Sequence, residues 1–90
     1  MNVIIIYDIT DDKLRRQISE ELKNFGLERI GYSAFCGSIS KKALRALEQR
    51  LNILIESDVL HIVPLCKFCF QKIRLLGRAD LPENFEDFVL

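Results

Sequence analysis

The sequence lacks the long apolar stretches of membrane proteins and the even cysteine count typical of small secreted domains. The apolar run Val3–Tyr7 is far shorter than the ~18 residues of a membrane span, and no basic region precedes it as in a signal peptide. There are three cysteines, which disfavours a disulfide framework and suits a reducing compartment. We therefore expect a cytoplasmic protein that is not associated with a membrane.

Common catalytic signatures are also missing. The sequence has no Ser-His-Asp set, no phosphate-binding glycine loop and no paired-carboxylate motif. Internal repeats and low-complexity tracts are absent too, so the 90 residues are expected to form one folded domain. A chain of this size buries roughly 60–65% of its unfolded surface, so its core is small and a dimer interface would add stability.

Positive charge is missing from the C-terminal end. From Ala79 onward there are four acids and no lysine or arginine, whereas residues 1–78 hold thirteen bases against nine acids, a net charge of +4. The basic body is compatible with nucleic-acid binding, and it is equally compatible with an ordinary solvated surface. We divide the chain into a domain over residues 1–77 and an acidic-aromatic tail over 78–90.

Hydrophobic patterning predicts the element order β-α-β-β-α-β. The first predicted element is a central strand Asn2–Asp8 buried on both faces, followed by a helix capped by Thr10. A tight hairpin is predicted over residues 28–39, with its bend near Ser33 and Ala34. A helix capped by Ser40 then ends near residues 56–58, and a strand Val59–Val63 is ended by Pro64. This order defines an α+β ferredoxin-like sandwich, with the helices on one face of an antiparallel sheet.

An additional strand is predicted over Gln71–Leu76, where basic and apolar residues alternate. A four-stranded sheet has no place for it except at an edge of its own sheet or of a partner's sheet. A strand exchanged between two chains would form a symmetric homodimer.

Asp8 ends a predicted buried strand, and strand ends are where functional sites collect. Two interpretations are open. The carboxylate is a ligand for Mg²⁺, which usually takes one or two protein carboxylates, or it caps the first turn of the next helix. A twofold axis nearby would let two Asp8 side chains share one ion.

Other reactive side chains each have a structural alternative. Cys66 and Cys69 have zinc-knuckle spacing, but a structural zinc site needs four ligands and only Cys36 and His61 remain, unless two chains combine. Redox chemistry requires a thioredoxin-like strand-to-helix context, which the pattern does not predict, so packed thiols are the favoured interpretation. His61 is expected to be structural.

Several motifs, taken together, resemble one family. They are VIIIYDIT with Tyr7-Asp8 at its end, the helix with Arg15 and Arg16, the segment GYSAFCGSIS with Ser33, Phe35 and Gly37, the helix opening at Ser40, the strand VLHIVPLC, and the closing segment from Cys66 to Gly77. Over residues 2–77 the chain resembles the small CRISPR-associated protein that joins the integrase subunit during spacer acquisition.

The resemblance implies a ferredoxin-like homodimer with metal-dependent endonuclease activity on single-stranded RNA or double-stranded DNA. Asp8 of each subunit would hold one shared Mg²⁺ or Mn²⁺ ion and would be the catalytic residue. Arg15 and Arg16, which alone could equally be solvated surface, would bind flanking phosphates. Tyr7, Ser33 and Phe35 would shape the cleft.

The resemblance also implies a role without chemistry. The dimer would bridge two integrase dimers along double-stranded DNA, and the tail over residues 80–90 would dock onto the integrase. In that case Asp8 is not required. A more distant alternative is a toxin-type ribonuclease that shares the fold.

Overall fold

The structure is a computed structural model that describes residues 1–77 of the chain. Within that range the elements are β1 (Asn2–Asp8), α1 (Asp12–Asn24), β2 (Glu28–Gly31), β3 (Ala34–Ser38), α2 (Lys41–Leu54), β4 (Val59–Leu65) and α3 (Lys67–Gln71). The strands form one antiparallel sheet in the order β2-β3-β1-β4, so the predicted ferredoxin-like α+β fold is confirmed. No helix in this part of the chain is long and apolar enough to cross a membrane. The tail predicted over residues 78–90 lies outside the described residues.

Strand β1 lies in the middle of the sheet, where it pairs with β3 on one side and β4 on the other. Val3, Ile5 and Tyr7 alternate onto the face that α1 and α2 cover, and they are at most 3% exposed. The opposite side chains are less well covered, because Ile6 keeps 47% of its surface exposed. The prediction of a central strand is therefore confirmed, but the expected burial of both faces is wrong at its C-terminal end.

The two long helices begin at side-chain caps. The Asp11 carboxylate accepts a hydrogen bond from the Leu14 N–H at 2.8 Å, so Asp11 rather than the predicted Thr10 is the N-cap of α1. Ser40 caps α2 as predicted, and its hydroxyl accepts from the Ala43 N–H at 3.1 Å.

Two element ends differ from the prediction. Helix α2 ends at Leu54, before residues 56–58, because the β-branched Ile55 adopts extended backbone with φ −91° and ψ 122°. Strand β4 continues through Pro64 to Leu65. Pro64 is tolerated there because β4 is an edge strand, where the missing N–H leaves an outward-facing position unpaired rather than breaking a central ladder.

The extra strand predicted over Gln71–Leu76 is not formed within this chain. Gln71 ends helix α3, and residues 72–77 have no strand pairing. A strand exists only with a hydrogen-bonding partner, and these residues have none among the strands described here. The predicted alternation is nevertheless expressed in packing, since Ile73 and Leu75 turn toward the sheet.

Helix α3 covers part of the sheet face that α1 and α2 leave open. Its Phe70 is fully buried against Ile30 and Cys36, and we call these three residues the second core. Cys66 and Cys69 at the start of α3 are exposed, so the interpretation as packed thiols is wrong. They also lie where strand β4 passes directly into a helix, a context that the sequence did not predict.

We expect Phe70→Ala to lower the free energy of unfolding by about 3–5 kcal/mol, because it removes a fully buried aromatic ring from the second core. The matched control is Phe68→Ala on the same short helix, where the ring is 64% exposed, and its effect should stay within about 1 kcal/mol. Urea unfolding at one protein concentration measures both. Equal destabilisation by the two variants would mean that α3 does not hold the second core.

Candidate functional site

Asp8 is the last residue of β1, and its side chain is exposed. It lies opposite Val59 of β4, on the face of the sheet away from α1 and α2. Within residues 1–77 no side chain or backbone group hydrogen-bonds or ion-pairs with its carboxylate. The alternative of a helix cap is excluded, because Asp11 fills that position. Asp8 is therefore an exposed carboxylate that is available to a ligand.

The donor chemistry at Asp8 suits a hard divalent cation but is incomplete in one chain. Carboxylate oxygen is the ligand that Mg²⁺ prefers. However, the described residues bring no three His, Cys, Asp or Glu side chains together around one point. A metal site at Asp8 would therefore need water, substrate phosphate or a second chain as its other ligands. The residues fit an ion shared between two copies of Asp8, and this role stays a prediction.

Exposed side chains surround Asp8 on the same face of the sheet. Ile6 lies two residues before it on β1. On β4, Val59 is paired with Asp8, His61 with Ile6, and Val63 with Ile4 on the same face. We call Asp8, Ile6, Val59, His61 and Val63 the helix-free face. His61, which was expected to be structural, is exposed here rather than packed in the core.

A basic groove of about 490 Å³ lies on the other side of β1, beside α1. Its lining contains four bases, two acids, two tyrosines and a serine, which are Arg15, Arg16, Lys23, Arg29, Asp12, Glu20, Tyr7, Tyr32 and Ser19. The structure thus brings both predicted arginines into one concavity. The excess of bases over acids suits an anionic ligand such as a phosphate backbone.

The two adjacent arginines differ in how they are held. Arg15 forms an ion pair with Asp12, and its guanidinium carbon lies 5.1 Å from the centre of the Tyr32 ring. Arg16 is exposed and has no side-chain partner within the described part of the chain. Arg15 is therefore preorganised in the groove, whereas Arg16 is free to contact a ligand.

Arg29 and Tyr32 belong to the groove but were missed from the sequence. The Arg29 guanidinium donates to the Tyr32 carbonyl at 2.7 Å and to the Ser19 hydroxyl at 2.8 Å, and it lies 4.9 Å from the Phe35 ring. It thereby ties the β2–β3 turn to α1. The sequence did offer one signal for Arg29. It is a charged residue in β2 at a position that strand alternation places on the helix-covered side of the sheet, opposite Phe35.

The three predicted cleft residues lie together beneath and beside this groove. Tyr7 lines it, and its ring stacks on Phe35 with centroids 6.3 Å apart. Phe35 is fully buried, so it supports the groove from below and does not itself line it. The Ser33 carbonyl accepts a hydrogen bond from the Tyr7 N–H at 3.0 Å. Their role in shaping a cleft stays a prediction.

The structure does not bring Asp8 into the groove of its own chain. Tyr7 and Asp8 are neighbours in one strand, so their side chains leave opposite faces of the sheet. The predicted metal ligand and the predicted phosphate-binding arginines therefore form two separate surfaces.

Comparison with known proteins identifies the family to which the chain belongs. The sequence model for "CRISPR associated protein Cas2" matches residues 1–73 of the chain. The chain belongs to the Cas2 family. The resemblance noted in the sequence is confirmed, and the toxin-type alternative is not retained.

Similar Cas2 proteins occur in archaea and bacteria. A protein of Korarchaeum cryptofilum named CRISPR-associated endoribonuclease Cas2 is 40% identical, over 88% of this chain and 87% of its own length. A protein of Chloroflexus aurantiacus named CRISPR-associated endoribonuclease Cas2 1 is 36% identical, over 100% of this chain and 99% of its own. These names agree with the nuclease activity that the resemblance implies.

Solved structures share the fold of this Cas2-family chain. Streptococcus pyogenes Cas2 superposes with a TM-score of 0.75 at 23% identity, over 86% of this chain and 100% of its own. A hypothetical protein of Thermus thermophilus, TT1823, gives a TM-score of 0.75 at 31% identity, over 91% and 96% of the two chains.

We expect Arg29→Lys to lower the free energy of unfolding by about 1–3 kcal/mol, because lysine keeps the charge but not the fork that reaches both the Tyr32 carbonyl and Ser19. Hydrogen exchange at the Tyr7 amide, which bonds to the same turn, should also accelerate. Arg16→Lys is the matched control and should change stability by less than about 0.5 kcal/mol. Unchanged Tyr7 exchange in the Arg29 variant would show that Arg29 does not hold the turn.

Proposed function

We propose that this Cas2-family chain acts in CRISPR spacer acquisition as a homodimer that binds nucleic acid and cleaves phosphodiester bonds with Mg²⁺ or Mn²⁺. The observation that carries this proposal is the exposed carboxylate of Asp8, which has no partner among residues 1–77 and lies on a sheet face without a long helix. The endoribonuclease names of similar proteins support RNA as one substrate.

The helix-free face supports the proposed dimer. Ile6, Val59 and Val63 are 47%, 50% and 38% exposed on this face, and α3 covers only the neighbouring part of the sheet. A second copy packed on it would remove these apolar side chains from water. The same packing would place two Asp8 carboxylates near one twofold axis. Residues 72–77 would then find the strand partner that one chain does not offer them.

In this arrangement Asp8 would bind the metal ion and fix its position, and the basic groove would neutralise phosphate charge. A bound Mg²⁺ would supply Lewis acidity and an activated water at the phosphorus to be attacked. Arg16 and Lys23 would contact phosphates farther along the bound nucleic acid, while Arg15 stays paired with Asp12 beside Tyr32. The 73% exposed ring of Tyr32 offers a flat surface on which an unpaired base can stack.

A second candidate function is a non-catalytic scaffold that bridges integrase dimers along double-stranded DNA. It is favoured by the separation of the groove from Asp8 on opposite faces of the sheet. Phosphate binding by the groove then needs neither Asp8 nor a metal ion. Such binding would be independent of sequence and would weaken steeply with added salt.

We expect Asp8→Asn to reduce Mg²⁺-dependent cleavage of labelled single-stranded RNA or double-stranded DNA to background, because an amide oxygen is a weaker ligand than a carboxylate. Nucleic-acid binding, measured by fluorescence anisotropy, should persist. Glu48→Gln, at an exposed carboxylate on α2 across the sheet from Asp8, should cleave like the native protein. Native-level cleavage by the Asp8 variant would contradict the catalytic role. Binding without cleavage in the native protein itself would favour the scaffold.

We expect Ile6→Glu to convert the dimer to a monomer, because it would bury a carboxylate in the proposed apolar interface. Ile53→Glu is the matched control, since Ile53 is 81% exposed on α2, and this variant should remain dimeric. Sedimentation velocity measures the mass of each, and circular dichroism verifies folding. A folded, fully dimeric Ile6 variant would place the interface elsewhere.

A further inference from the structure

The two exposed cysteines at the junction of β4 and α3 have no role in the proposed nuclease. Cys66 is the N-cap of α3, and Cys69 lies one turn later. The Cys66 sulfur accepts a hydrogen bond from the Cys69 N–H at 3.4 Å, which fixes the two residues on one helical turn. Residues that occupy one turn in this way have Cα atoms within roughly 4.4–6.8 Å, the range that a disulfide spans.

The environments of the two thiols differ in a way that suits thiol–disulfide exchange. Hydrogen bonds from the Cys69 backbone and from the Cys69 thiol lower the pKa of Cys66. The shared thiol hydrogen bond raises the pKa of Cys69. A larger fraction of Cys66 is therefore thiolate, which is the species that attacks a disulfide. Cys69 is the thiol that would attack in the second step of the exchange.

A ligand could reach Cys66 from one side. Cys66 lines a cleft of about 490 Å³ together with Met1, Pro64 and Lys67, beside the edge strand β4. The Lys67 side chain adds a positive charge next to the sulfur. The cleft therefore suits a small anionic disulfide, such as oxidised glutathione.

We propose that Cys66 and Cys69 form a reversible intrachain disulfide by exchange with a small-molecule disulfide of the glutathione class. The Cys66 thiolate attacks one sulfur of the oxidant, a mixed disulfide forms, and one small thiolate leaves. Cys69 then loses its proton and attacks the Cys66 sulfur, which releases the second small thiolate. Two protein thiols are oxidised to one disulfide, and one small disulfide is reduced to two thiols.

The remaining cysteine supplies an internal control. Cys36 is fully buried in the second core, and burial raises its pKa to about 11. It should therefore stay reduced under conditions that oxidise the exposed pair. This inference does not depend on the nuclease proposal, because neither cysteine lines the groove or belongs to the helix-free face as defined above.

The test equilibrates the full chain with a series of reduced and oxidised glutathione mixtures, followed by acid quenching, alkylation and peptide mass spectrometry. We expect the peptide that holds residues 66–69 to lose two hydrogen masses as the buffer becomes oxidising and to regain them on reduction, while Cys36 remains alkylated. Cys69→Ser should accumulate a stable glutathione adduct on Cys66, because no second thiol resolves it. Cys66→Ser should be modified more slowly, at least several-fold, because the backbone hydrogen bond that favours a thiolate is donated to the sulfur at position 66 and not to that of Cys69.

Three results of the glutathione experiment would overturn the proposal. They are the absence of an internal disulfide at every glutathione ratio, equal modification rates in the two serine variants, and oxidation that yields only disulfides between chains. Retention of stoichiometric zinc by the native protein, with loss in both variants, would also overturn it in favour of a metal site shared by two chains.

Discussion

The position of β1 between two antiparallel neighbours constrains the rest of the molecule. Both edges of this strand are used for pairing, so its side chains have only the two faces of the sheet available to them. Val3, Ile5 and Tyr7 anchor the core beneath the long helices. Ile6 and Asp8 are thereby directed to the opposite face, whatever their own preference for water. A shift of one residue in the register of β1 would exchange the two sets and would bury the carboxylate in the core.

The incomplete cover of the second face follows from the same constraint. A sheet with two long helices on one side leaves the other side to be covered by something else, and of residues 1–77 only α3 and the segment after it remain to supply it. Helix α3 covers the region of Cys36 and Ile30 with a single aromatic ring, Phe70. The region around Ile6 and Val63 stays exposed. The apolar character of that surface is the physical argument for a second chain there.

The sequence predicted what depends on periodicity and capping, and it failed where tertiary contacts decide. The two long helices, the hairpin and Ser40 as a cap follow from patterns that span several residues. Thr10 and Asp11 are both good N-cap residues. Which of them caps α1 depends on where β1 ends and how the chain turns into the helix, and composition does not determine this. Arg29 was missed because its role comes from the Tyr32 carbonyl and Ser19, brought near it only by folding.

The candidate site could likewise be predicted from the sequence only in part. Asp8 could be predicted from its place at a strand end, and family resemblance supplied its expected chemistry. Its separation from Arg15 and Arg16 could not be foreseen by counting residues, because it arises from the alternation between Tyr7 and Asp8. The extra strand predicted over Gln71–Leu76 was wrong for a related reason. Alternation of Ile73 and Leu75 is real, but it produces a strand only when a ladder partner exists.

Separation of the carboxylate from the groove has a consequence for the proposed function. Binding energy in the groove comes from guanidinium and ammonium groups around a preorganised Arg15, and none of it requires a metal ion. In the proposed function, chemistry at Asp8 requires an ion and a second copy of the residue. Loss of the carboxylate would therefore leave nucleic-acid binding intact, whereas loss of the groove would remove the substrate from either function.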